Sequence, residues 1–166
     1  MRGHLVLLVV AASIAGCGSS EKTYKIEDGN GSTATVTTSD GDEVARIQTE
    51  DASVVVRQGA NAASFPDYAP QYPGSTVVSS MDYQTDQDGA GGNVTMQTSD
   101  DVPKVMAFYK KSVASVGLKV VMETNTGTGS MLAVSSKAND SPDIMISAGR
   151  NDDGQTTIAL KSSVQK

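Results

Sequence analysis

Hydrophobic positions along the chain change their spacing several times, and each change marks a different element. Leu5 to Ala12 is an almost unbroken apolar run behind Arg2 and His4, followed by small residues. A bilayer span needs about 20 apolar residues, so residues 1–16 read as a cleavable secretory signal. From Tyr24 to Gly59 apolar side chains alternate with polar ones: Ala34 and Val36 against Thr33, Thr35 and Thr37, then Ala45 with Ile47, then Val54 with Val56. Period-two alternation between acidic, glycine-bearing turns predicts three or four short strands, a Thr-rich β segment over residues 23–59. Its apolar face is thin, so it is expected to pack on the rest of the chain or against a second copy. Residues 60–74, rich in proline and alanine, lose the alternation and are expected to be an interdomain linker.

Alternation resumes after Ser75 with Val77 and Val78, then Val94 and Met96, and gives way to a 3.6-residue period at Val102, Val105, Met106, Tyr109, Val113 and Val116. That stripe predicts a helix, with Ser99 or Asp100 as its cap, Pro103 near its start and Gly117 closing it. Four further strands are expected over residues 118–123, 131–137, 143–149 and 156–162, and Asn151-Asp152-Asp153-Gly154 is a strong hairpin signal. The order β-β-α-β-β-β-β predicts an α+β domain over residues 75–166, a mostly antiparallel sheet with one helix packed on a face.

Ile14-Ala15-Gly16-Cys17, placed directly after the apolar run, resembles a bacterial lipobox. The resemblance implies that signal peptidase II recognises Ile14, Ala15 and Gly16, that diacylglycerol is attached to the Cys17 thiol, and that the new α-amine is acylated. Two or three acyl chains anchor durably where one does not. Residues 17–22 would then be the lipidated N-terminus and a short tether, and the membrane would be reached through Cys17. Gly18, where an inner-membrane lipoprotein of a Gram-negative bacterium tends to carry Asp, implies the outer membrane, facing the periplasm. A second resemblance starts at Tyr72-Pro73-Gly74 and runs through Phe108-Tyr109 and Gly117-Leu118. This region is similar to a recurrent domain of envelope lipoproteins in sphingomonad-type bacteria, which implies a fold and carries no catalytic residue onto this chain.

Composition narrows the chemistry. The 166 residues hold 19 acidic and 13 basic side chains, one His, one Cys and no Trp, for a formal charge of −6. That sign disfavours nucleic acid, whose affinity comes largely from Lys and Arg. Cleavage before Cys17 would remove His4, leaving no imidazole for acid–base or metal chemistry. No Gly-x-Ser-x-Gly elbow is present. Asp86 and Asp88, in the glycine-rich run up to Asn93, resemble part of a calcium loop. Aligning Gly89 with the obligatory glycine puts Gln84 and Thr95 where acids belong, so a solvated hairpin is the expectation. Six methionines follow Cys17, about one per predicted element, and are expected to pack in the core rather than bind copper(I). The whole predicts a non-catalytic, lipid-anchored envelope protein without a cofactor, binding an envelope protein or cell-wall component. The alternative is a small-ligand or cation-binding periplasmic lipoprotein.

Overall fold

A computed structural model describes residues 10–12, 21–27, 32–39, 44–59, 65–86, 89–135 and 143–164. The strands are β1 (Val10–Ala12), β2 (Glu21–Glu27), β3 (Thr33–Ser39), β4 (Val44–Gln48), β5 (Ala52–Gln58), β6 (Thr76–Thr85), β7 (Gly89–Thr98), β8 (Lys119–Asn125), β9 (Gly129–Ser135), β10 (Ile144–Arg150) and β11 (Thr156–Val164), with one helix, α1 (Val102–Ser115). They form one sheet in the order β1-β2-β3-β4-β5-β6-β7-β11-β10-β9-β8, and every neighbouring pair is antiparallel. The chain meanders from β1 to β7, crosses through α1 to the far edge, and meanders back until β11 closes on β7.

The α+β class expected from the sequence is corrected by this topology. Among the described residues, eleven strands share one antiparallel sheet and a single 14-residue helix is laid on it, a predominantly β structure. The physical reason lies at β6, a ten-residue strand whose outer edge would otherwise leave a row of unpaired amides and carbonyls. β5 takes that edge over its whole length, from Ala52 opposite Thr85 to Gln58 opposite Ser79. The Thr-rich segment is thereby a continuation of the sheet. β2 begins at Glu21, inside the stretch expected to be a tether, and β1 lies inside the stretch expected to be the signal.

The two halves of the sheet carry their apolar residues differently, buried in one half and only partly covered in the other. In the β7–β11 half, Val94, Met96, Leu132, Val134, Ile144, Ile146, Ala148, Ile158 and Leu160 point toward α1 and join Val105, Met106, Tyr109 and Val113 in one core. In the other half the apolar row Tyr24, Val36, Ile47, Val54 and Tyr83 runs strand to strand on the face away from the helix. Tyr83 ends that row opposite Gly91, where any Cβ would lie within 2.4 Å of the phenol ring and 2.6 Å of the Ser162 carbonyl oxygen, so glycine is required for the close approach.

Helix α1 is capped by Asp101, one residue later than expected, its carboxylate accepting from the Lys104 amide at 3.1 Å. At the other end Gly117 has φ +75° and the Leu118 amide donates to the Val113 carbonyl, so the chain turns back toward β8. The described part of the expected linker is built into the core: Ala69 and Tyr72 are buried, and the Tyr109 hydroxyl donates to the Pro70 carbonyl at 3.2 Å. Among the described residues no helix is long and apolar enough to cross a membrane.

Candidate ligand cleft

Beside the helix, on the same face of the sheet, the segment from Phe65 to Ala69 stands over β6, β7, β10 and β11 and encloses a cleft of about 330 Å³. Strand periodicity supplies its floor. Val94, Ile144 and Leu160 all point to the helix-bearing side, while Phe65, Pro66, Tyr68 and Ala69 form the roof. Ala90, Gly91 and Gly92 leave one end without bulky side chains, and a Cβ at Gly92 would come within 3.1 Å of the Asp82 carboxylate. Most of the lining is apolar, so the cleft offers hydrophobic burial, and its size lies at the lower end of small-molecule sites.

The polar groups stand at the rim. Asp82 pairs with Arg57, which β5 brings across from the Thr-rich half of the sheet. Lys161 and Ser162 complete the same end. The rim therefore holds one ion pair, while the Lys161 side chain alternates to the opposite face of the sheet, an arrangement suited to a polar head group above an apolar body.

The chain just after the roof is tied to the helix by aromatic packing. Tyr72 meets Phe108 edge-on at 5.2 Å between ring centroids, and Phe108 meets Tyr109 edge-on at 5.1 Å. The Tyr72 hydroxyl donates to Asp100 at 2.7 Å, and the Lys104 ammonium donates to the other oxygen of that carboxylate at 2.9 Å. Desolvation, reinforced by Asp100, raises the Tyr72 phenol to about 12. The hydrogen bond from Tyr72, followed by that from Lys104, holds the Asp100 carboxyl below its ordinary value. Burial likewise raises the Tyr109 phenol.

The residues singled out in the sequence lie elsewhere. Ile14, Ala15, Gly16 and Cys17 are outside the described residues, as is Asp88. Asp86 follows β6 at the head of the β6–β7 hairpin, its amide donating to the Asp51 carbonyl at 3.0 Å. Among the described residues no three His, Cys, Asp or Glu side chains gather as a metal site would require. The cleft residues were missed because Phe65 to Ala69 carries no periodicity and, with Pro66, lies in the proline-bearing stretch read as a linker.

An antiparallel sheet gripping one crossover helix, with an apolar cleft beside that helix, has the helix-grip architecture. The chain belongs to the START domain-like family, whose model matches residues 77–162, just over half of the 166. That span runs from β6 to β11, so the cleft's floor lies within it, while its roof and Arg57 are additions outside it. No curated protein and no solved structure matches the chain.

Proposed function

We propose that this is a non-catalytic binding protein of the bacterial cell envelope, anchored through lipid on Cys17 to the outer membrane and facing the periplasm. Its cleft receives the apolar part of a small amphiphilic envelope component. The observation that carries this reading is the pairing of an apolar floor, Val94, Ile144 and Leu160, with polar groups confined to one rim. Membership of the START domain-like family is compatible with a ligand in that place. The anchor rests on the sequence alone, on Ile14-Ala15-Gly16-Cys17 behind a signal-like run.

Equilibrium titration of the protein with a single-chain anionic amphiphile below its micelle concentration tests the binding step. Saturable binding is expected in the wild type. Arg57→Gln should weaken the anionic probe while sparing a nonionic one of equal chain length, because Arg57 serves the rim and not the floor. Equal, unsaturable uptake of both probes by both proteins would contradict the proposal.

A further inference from the structure

The methionines do not distribute as their sequence positions suggest. Met96 and Met106 are in the core, but Met122 is 49% exposed and Met145 40% exposed, both on the sheet face that carries no helix. Register places them around one small residue: Ala133 of β9 stands opposite Met122 of β8 on one side and Met145 of β10 on the other. Met131 is two residues from Ala133 along β9, on the same face. From strand spacing, the backbones of Met122 and Met145 are about 10 Å apart across Ala133.

Ala133 is 2% exposed, yet it is absent from the core cluster under α1. Its cover comes from its own face, where Met122, Met131 and Met145 are its large apolar neighbours. With three rotatable bonds each, methionine side chains can lean inward over the single methyl group between them. The structure assigns to this triangle a binding site for a soft monovalent cation, copper(I), held by the thioethers of Met122, Met131 and Met145 with Ala133 as its seat. Thioethers suit copper(I) and are poor ligands for hard cations. Lys161 lies opposite Met145 in the next strand and repels a divalent ion more than a monovalent one. A groove of about 410 Å³ on this face, lined by Met131 and Met145 on one side and Met81 on the other, gives an ion a path from solvent to two of the three thioethers.

Met81 is the internal control. It is 38% exposed and lines the far side of the same groove, but three strand spacings, about 14 Å across Asn93 and Lys161, keep it too far from Met145 to share an ion with the triangle. The test is a titration of the full chain carrying Cys17→Ser, so that no thiolate competes for the metal, labelled with carbon-13 at its methionine methyl groups, with silver(I) as a redox-inert stand-in for copper(I). The Met122, Met131 and Met145 resonances should shift together and stop at one equivalent, while Met81, Met96 and Met106 stay in place and zinc(II) shifts none of them. Met122→Leu should abolish saturation, and so should Ala133→Leu, which keeps all three sulfurs but fills the seat. Parallel shifts of Met81 with Met122 and Met145, no shifts at all, or unchanged saturation in Met122→Leu would overturn the assignment.

Discussion

Asp100 ties the segment before the sheet to the helix, because its carboxylate accepts both the Tyr72 hydroxyl and the Lys104 ammonium. Its folded pKa lies below the ordinary 3.8, so folding favours the ionised form. The contribution is whole above pH 3.8 and is lost as pH falls through the folded value. Tyr72→Phe removes the largest cause and should move the Asp100 midpoint upward in a carboxyl NMR titration. The stability gap between wild type and variant should stay level above that pH and close below it; a gap that persisted down to full protonation would refute the coupling. On the alkaline side the sign reverses, since Tyr72 is raised from 10.0 to about 12 and its contribution fades as pH climbs through that interval. A different residue-scale test is Thr156, fully buried with a hydroxyl that has no partner among the described residues. Thr156→Val keeps the shape and removes the unpaired group, and urea unfolding should show a gain of about 1 kcal/mol.

Among the elements, helix α1 follows the periodicity of the sequence most plainly, because its apolar stripe, Val105, Met106, Tyr109 and Val113, is the face it buries. Gly117 is where that legibility is most testable. Its φ of +75° is disfavoured for any residue with a Cβ, and open space surrounds it, so Gly117→Ala should cost about 1 to 2 kcal/mol from backbone strain alone, measured by thermal unfolding. What local pattern did not reveal depends on partners distant in the chain. Ser99 or Asp100 looked like the helix cap, but Asp101 caps and Asp100 serves Tyr72, 28 residues away. The methionine triangle depends on a register shift between Val120 and Met122, which sets Val120 against the core and Met122 on the opposite face. The join of β5 to β6 likewise follows from pairing that no alternation encodes. A chain beginning at Phe65 should still melt cooperatively, since it retains α1 and the whole core, but should self-associate through the bared β6 edge. Sedimentation showing a strict monomer would argue against that role for β5.

At the scale of the whole molecule, the sheet separates two environments: a cleft under Phe65 to Ala69 on the helix-bearing face, and a methionine-bearing face behind it. The anchor proposed at Cys17 would hold both close to a membrane. Cys17→Ser should release the protein from the membrane fraction or leave its precursor uncleaved, and unchanged lipid-labelled protein would exclude Cys17 as the anchor. The central claim, however, is that the cleft beside α1 is the ligand site. The most direct measurement is a methyl NMR titration of the protein with a single-chain anionic amphiphile below its micelle concentration, read at Val94, Ile144 and Leu160 on the floor and at Val105 and Val113 in the core between helix and sheet. The account predicts saturating shifts at the three floor residues with little change at Val105 and Val113. Unmoved floor methyls, or shifts confined to Val54 and Val56 on the face away from the helix, would contradict it.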